Sequence, residues 1–187
     1  MNDVLNVIKN RRSVRRFKTD QISNKELNYI LEAGLYAPSA HNQQSWNFTV
    51  IQSRDVIDQM SNDTKKSFTY AKDQRTKDLS TNEKLHVFYG APTVIVVSGR
   101  EDALMPEADC GAATQNMLIA AESLDIGGCW NGYVAYLFDN ELGESYIKSL
   151  NIPQGHKPYY AIALGYKGVD KLTPPPRKEN RIQYIRD

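Results

Sequence analysis

The sequence predicts a single domain of the α/β or α+β class, with one mixed β-sheet between two layers of helices. Helical and strand-like segments alternate along its 187 residues, a length that suits one domain. Residues 93–97 are apolar without alternation, which is typical of a strand covered on both faces. Residues 106–124 are apolar on most faces and rich in small side chains, which indicates a buried helix that another subunit could approach closely.

Two helices and a strand are predicted in the first part of the chain. Residues 4–8 predict a short helix that ends at a group of arginines. Ser23 and Glu26 match a capping box, and the apolar residues that follow recur at helical spacing, so a second helix begins there and ends before Pro38. Aromatic and β-branched side chains at 46–51 then indicate a strand.

The rest of the chain is predicted from shorter patterns. A short helix is expected at 55–60, a glycine-rich turn at 125–132, a helix at 140–150 and a strand at 158–166. The polar segment 61–86 is either a mobile, partly helical lid or a plain surface excursion. Residues 168–187, which contain TPPPRKENR, are expected to form an extended C-terminal arm.

Charge and hydropathy argue against several classes of protein. Lysine and arginine total 23 against 22 acidic residues, so the net charge is +1 and no global field attracts polyanions such as nucleic acid. The apolar runs are far shorter than the roughly 20 residues that cross a membrane. The first twelve residues place their charges after the apolar positions, which is the wrong order for a secretory signal. A cytoplasmic location is therefore expected.

The usual catalytic motifs are missing. The chain has no G-x-S-x-G, P-loop, H-E-x-x-H or G-x-G-x-x-G sequence. Its two cysteines, Cys110 and Cys129, form no C-x-x-C pair, and its three histidines lack the spacing of metal ligands, so no metal site is expected. An enzyme with this sequence would depend on the chemistry of a bound cofactor.

Four stretches carry a family resemblance: RRSVRRF at 11–17, APSAHNQQSW at 37–46, DIGGCWNG at 125–132 and LGYKGVDKLTPPPR at 164–177. In order and spacing they resemble the motifs of the FMN-dependent nitroreductases, across almost the whole chain. One departure is Ser45, where the family usually has proline before the tryptophan. The resemblance implies an α+β fold with α/β/α layers, an intertwined homodimer with FMN at the subunit interface, and NADH or NADPH as hydride donor.

The resemblance also implies which residues contact the ligands. Arginine suits this role because its guanidinium group matches phosphate oxygens in a bidentate geometry. Three side chains are expected to contact the second substrate, namely His41, Phe68 and Tyr70. The implied FMN contacts are Arg11, Arg12, Ser13, Arg15, Pro38, Ser39, Ala40, Asn42, Cys129, Trp130, Asn131, Gly132 and Arg177.

Some of these assignments have alternatives. Trp130 could equally be ordinary core, Gln44 could contact the flavin edge or only support its loop, and Arg181 could replace Arg177. Arg16 is expected to face water. The expected activity is ping-pong reduction of nitroaromatics, quinones or similar acceptors. A relative that uses FMN for dehalogenation or flavin fragmentation, and a polyanion-binding domain that is not an enzyme, remain alternatives.

Overall fold

A four-stranded sheet forms the centre of the protein in the computed structural model, which describes residues 2–169 and 172–186. Residues 1, 170, 171 and 187, part of the predicted domain and arm, lie outside that range. In the described residues, seven α-helices and short 3-10 turns surround the sheet. The strands are β1 (Trp46–Ile51), β2 (Thr93–Arg100), β3 (Ile126–Asn131) and β4 (His156–Tyr166). The helices are α1 (Asp3–Asn10), α2 (Asn24–Leu35), α3 (Arg54–Ser67), α4 (Gln74–Asp78), α5 (Pro106–Ser123), α6 (Val134–Phe138) and α7 (Gly143–Ser149).

The strand order is β1-β2-β4-β3, and all three pairs of neighbouring strands are antiparallel. The sheet was predicted to be mixed, but among the described residues the parallel pairing is a single isolated bridge between Ser13 and Gly128. That bridge places the basic segment of residues 11–18 along the outer edge of β3.

Helices cover both faces of the sheet, as predicted. Val94 and Val96 of β2 pack into a core with residues of α3, α6 and α7, while Ile95 and Val97 pack into a second core with α2 and α5. Consecutive residues of a strand point to opposite faces, and all four are fully buried. The apolar run therefore belongs to an inner strand between two layers.

The capping box of α2 is confirmed. The Ser23 hydroxyl accepts a hydrogen bond from the Glu26 N–H, and the Glu26 carboxylate accepts one from the Ser23 N–H. The close helix packing predicted for α5 occurs within the same chain. A Cβ added to Gly34 of α2 would lie 2.9 Å from Met117 of α5, and Asn116 of α5 donates to the Ala33 carbonyl.

The predicted glycine-rich turn is wrong, because residues 126–131 form strand β3. Gly127 and Gly128 are needed for close packing instead. An added Cβ would lie 2.9 Å from Val14 at Gly127 and 2.7 Å from Leu118 at Gly128. These contacts come from the 11–18 segment and from α5, so any larger side chain would push one of them off β3.

Helix boundaries also differ from expectation. The helix expected at 55–60 continues to Ser67, and the helix expected at 140–150 is α7 (Gly143–Ser149). The preceding helix α6 (Val134–Phe138) was not predicted. The 61–86 segment is largely helical, since it contains the end of α3, α4 and two 3-10 turns. Its buried residues include Phe68 and Thr76, and Phe68 belongs to the core that the sheet shares with α3, α6 and α7.

The C-terminal segment is extended. Residues 172–186 contain no helix or strand, and Ile182, Tyr184 and Ile185 are more than 70% exposed. In the part of the chain that is described, no helix is both long and apolar enough to cross a membrane.

Candidate active site

The basic segment is fixed to the sheet by its backbone. The Val14 N–H donates to the Gly128 carbonyl at 3.0 Å, and the Lys18 N–H donates to the Tyr166 carbonyl at 2.9 Å. Phe17 forms an antiparallel bridge with Lys167. Val14 is buried against β3 and is 2% exposed. Because side chains alternate along an extended chain, Ser13 and Arg15 leave the opposite side from Val14.

Arg11, Ser13 and Arg15 come together around one thiol on β3. Burial raises the pKa of Cys129, and Arg15, Ser13 and Arg11 each oppose that rise. The Arg15 guanidinium carbon lies 5.7 Å from the centroid of the Tyr89 ring, and hydrogen bonding to Tyr89 is the main cause that raises the pKa of Arg15. The three residues that the resemblance put in one pocket are thus neighbours in space.

Arg11 has an unused donor. Its Nη1 atom is buried and has no hydrogen-bond partner in the described structure. Buried polar groups are almost always paired, and a charged one is costly to leave alone. The cluster therefore offers a charged donor that suits an anionic or carbonyl-rich ligand.

Arg12 is arranged differently. Its Nη1 donates to the Arg11 carbonyl at 2.5 Å and its Nη2 donates to the Lys9 carbonyl, so it caps the last turn of α1. It lines a separate pocket of about 450 Å³ together with Glu122 and Lys167. Arg16 is exposed, as expected.

The end of β3 contributes backbone more than side chains. Trp130 packs edge to face on Tyr160, with ring centroids 4.7 Å apart, in the core on the α5 side. Asn131 is buried, donates to the Val87 carbonyl at 2.7 Å and accepts from the Val134 N–H at 3.3 Å. Gly132 is exposed, and an added Cβ would meet no protein atom within 4 Å. Trp130 and Asn131 thus stabilise the fold, while the Gly132 backbone lies at an open surface.

The loop after α2 is fastened by one buried carboxylate. Asp109 of α5, which is 3% exposed, accepts from the Ala40 N–H at 2.9 Å and from the Ser45 hydroxyl at 2.7 Å. The departure from the family pattern at Ser45 thus supplies a hydrogen bond that proline could not make. His41 and Asn42 follow with φ of 50° and 55° and are exposed.

The remaining polar groups of the loop satisfy each other. The Ser39 hydroxyl accepts from the Gln44 N–H, and the Gln44 amide donates to Asn42 Oδ1. Pro38 is exposed just before them. Gln44 thus supports its loop, and its contact with the flavin edge stays a prediction. Within the described residues, no hydrogen bond or ion pair joins this loop to Arg11, Ser13 or Arg15.

Phe68 does not lie at a surface. It is fully buried and packs edge to face against Tyr133 and Tyr136, with centroid distances of 5.1 and 5.6 Å. This position argues against the predicted substrate contact, because all of its area is taken by the core. Tyr70 is 80% exposed and lines a pocket of about 590 Å³ with Leu142. Its substrate role stays a prediction.

Arg177 and Arg181 are exposed on the C-terminal arm. Neither has a hydrogen bond or ion pair to the 11–15 cluster among the residues that are described. Their place at a cofactor therefore stays a prediction.

Sequence reasoning missed Tyr89 and Asp109. Tyr89 borders the cluster, and the Gly-Ala-Pro sequence after it indicates a turn but not where its side chain points. Asp109 sits in the first turn of a helix, where acidic residues are common for reasons unrelated to a distant loop.

Comparison with known proteins agrees with this geometry. The model of the nitroreductase family matches residues 8–166. A protein of Archaeoglobus fulgidus named as an NADH dehydrogenase/NAD(P)H nitroreductase is 31% identical over 175 residues, which cover 91% of this chain and 89% of that protein.

Solved structures extend the match to the whole chain. The crystal structure of a nitroreductase with bound FMN from Bacteroides fragilis is 34% identical, with a TM-score of 0.91 over 100% of both chains. A nitroreductase with bound FMN from Desulfitobacterium hafniense is 30% identical, with a TM-score of 0.90 over the same share. The nitroreductase-like fold is therefore confirmed, and the chain belongs to the nitroreductase family.

Proposed function

We propose that this protein is an FMN-dependent oxidoreductase that takes hydride from NADH or NADPH and reduces nitroaromatics, quinones or similar small conjugated acceptors. The observation that carries the proposal is the group Arg11, Ser13 and Arg15 beside β3, with a buried and unpaired Arg11 Nη1. The FMN-bound relatives support the choice of ligand.

The residues present fit FMN. An anionic or carbonyl oxygen of FMN would give Arg11 Nη1 the acceptor that it lacks, and hydrogen bonds to a charged donor are among the stronger ones in proteins. Ser13 adds a hydroxyl donor, and Arg15 adds positive charge on the same side of the segment. The open space at Gly132 leaves the backbone of β3 accessible to a flat ring.

When bound, FMN would supply the redox chemistry by accepting hydride at flavin N5 and passing it to the second substrate. The protein's part is to bind, orient and stabilise charge, and a protein nucleophile is unnecessary. Neither cysteine is suited to be one. Burial raises the pKa of Cys129, and that of Cys110 to about 12, so both thiols stay protonated at neutral pH.

A homodimer is part of the proposal. The loop with Pro38, Ser39, Ala40 and Asn42 is bonded to α5, and among the described residues it has no hydrogen bond or ion pair to Arg11, Ser13 or Arg15 of its own chain. We therefore propose that it contacts FMN held by a second subunit. Exposed apolar side chains that such an interface would cover are Val4, Leu5 and Ile8 on α1, Leu35 at the end of α2, and Tyr36 directly after it. The mass of the purified protein in solution tests this, since a monomer would contradict it.

The direct test of the function is spectroscopic. The purified protein should be yellow or become so with added FMN, and its flavin absorbance should bleach when NADH or NADPH is added without oxygen. A protein that stays colourless with added FMN would refute the proposal. Binding to nucleic acid that weakens steeply with salt would instead favour the polyanion alternative.

A panel of electron acceptors tests the finer part of the proposal. Nitro compounds and quinones should be turned over with at least one nicotinamide donor. Turnover of halogenated aromatics alone would favour the dehalogenation alternative, and loss of FMN itself would favour flavin fragmentation. A cytoplasmic location also stays a prediction, and cell fractionation tests it.

A further inference from the structure

The turn before β2 holds Tyr89 in an unfavourable backbone conformation. Tyr89 has a φ of 58° and Gly90 has a φ of 65°, so two consecutive residues are left-handed. Glycine adopts this conformation freely, whereas a bulky side chain with a Cβ does so at a cost in free energy. Such a residue persists only where its surroundings fix it, and strain of this kind is often found at functional sites.

His86 fixes the turn from inside. Its Nδ1 accepts hydrogen bonds from the N–H groups of Phe88 at 3.1 Å and Gly90 at 3.2 Å. Since Nδ1 accepts, the ring proton is on Nε2, which donates to Asp58 Oδ1 at 2.9 Å. The Gly90 carbonyl accepts from Arg54 of α3 at 3.1 Å. The turn is thus fastened to α3 by one histidine and one arginine.

Val87 adds a further bond to α3 and a bond to β3. Its N–H donates to the hydroxyl of Ser61 in α3 at 2.8 Å, and its carbonyl accepts from the amide of Asn131 at the end of β3 at 2.7 Å. The turn therefore lies at a fixed position between α3 and β3.

The hydrogen bonds of the turn set the position of the Tyr89 side chain. The ring is half-buried, and its centroid lies 5.7 Å from the Arg15 guanidinium carbon. Burial raises the pKa of Tyr89, so its hydroxyl stays protonated at neutral pH. Cys129 and Tyr133 border the same space. Without this ring, Arg15, which is otherwise exposed, would be free to turn towards water.

We infer that Tyr89 is a positioning residue of the proposed FMN site, which holds the Arg15 guanidinium group against the sheet so that its charge faces the cofactor. This inference rests on the proposed function. It accounts for the left-handed backbone of Tyr89, because that conformation sets where its ring lies relative to the Arg15 guanidinium group. It also explains why the turn is bonded to both α3 and β3.

A double-mutant cycle tests the inference, with FMN dissociation constants measured by quenching of flavin fluorescence. Tyr89→Leu removes the aromatic ring that lies against the Arg15 guanidinium group, and should weaken FMN binding about fivefold, as the loss of a cation–π contact does. Arg15→Ala should weaken binding at least as much. The double variant should bind FMN no more weakly than Arg15→Ala, because Tyr89 acts through Arg15.

Tyr29→Leu is the matched control, because Tyr29 lies on α2 with Lys25 over its ring at 5.8 Å and its loss should not affect FMN binding. His86→Ala loosens the turn without touching Arg15 and should also weaken FMN binding. The inference is overturned if Tyr89→Leu binds FMN as the wild type does, or if its effect adds fully to that of Arg15→Ala. Wild-type protein that binds no FMN would instead refute the proposed function itself.

Discussion

Replacing Asp109 with alanine should destabilise the protein and release the loop of residues 39–45. The buried Asp109 carboxylate accepts two hydrogen bonds, from the Ala40 N–H at 2.9 Å and from the Ser45 hydroxyl at 2.7 Å. A hydrogen bond to a charged group contributes about 1.5–3 kcal/mol, so we expect a loss of about 3–5 kcal/mol. In a chain of this length that lowers the midpoint of thermal unfolding by about 6–20 °C.

Thermal and urea unfolding measure this effect. Ser45→Ala removes one of the two bonds and should cost less than Asp109→Ala, and the double variant should cost less than the sum of the two, because the residues share a bond. Asp102→Ala is the matched control, since its carboxylate is 78% exposed and pairs with Arg100 at the surface. A surface ion pair contributes about 0–1 kcal/mol. If Asp109→Ala unfolded within 2 °C of Asp102→Ala, about the shift of one surface pair, the role assigned to Asp109 would be wrong.

Three further predictions concern other parts of the molecule. Arg11→Ala should weaken FMN binding about 10- to 100-fold with little loss of stability, whereas the exposed Arg16→Ala should not; equal affinities in a titration would contradict the site. Tyr146→Phe should lose about 1.5–3 kcal/mol in urea unfolding, because the Tyr146 hydroxyl donates to the buried Asp63 carboxylate at 2.8 Å; an unchanged midpoint would refute this. Hydrogen bonds from Ser23 lower the pKa of Glu26 below its ordinary value of 4.5, so its stabilisation is complete above about pH 4.5 and is lost as the pH falls through the lower folded value. The stability difference between wild type and Glu26→Ala should therefore shrink in acid, and a constant difference from pH 7 to pH 2.5 would contradict it.

Local patterns predicted the elements whose signals are local. The capping box of Ser23 and Glu26 gave the start of α2, and the run at 93–97 gave a strand buried on both sides, since capping and side-chain alternation involve neighbours in the chain. The same reasoning failed at 126–131. Glycines there are required by Val14 and Leu118, which are distant in sequence, and a glycine pair alone resembles a turn.

The candidate site divides in the same way. The order of four motifs was enough to indicate the family, the cofactor and the group Arg11, Ser13 and Arg15, because these residues lie close together in one segment. It could not show that the side chain of Asn131 is hydrogen-bonded to the backbone of Val87 and Val134. Nor could it show that the Phe68 ring packs against two tyrosine rings. Which partner a polar or aromatic side chain finds depends on the packing of separate elements.

By itself, the sequence determined a mixed class of helices and strands, most of the individual elements, and the basic segment as a candidate binding element, since these depend on composition and short-range order. The tertiary structure decided which donors stay unpaired, that Asp109 fastens a loop 69 residues away in sequence, and that Tyr89 stands over Arg15. The physical reason is that hydrogen bonds and ring contacts act over a few ångströms in space. Folding alone sets which distant residues come within that range.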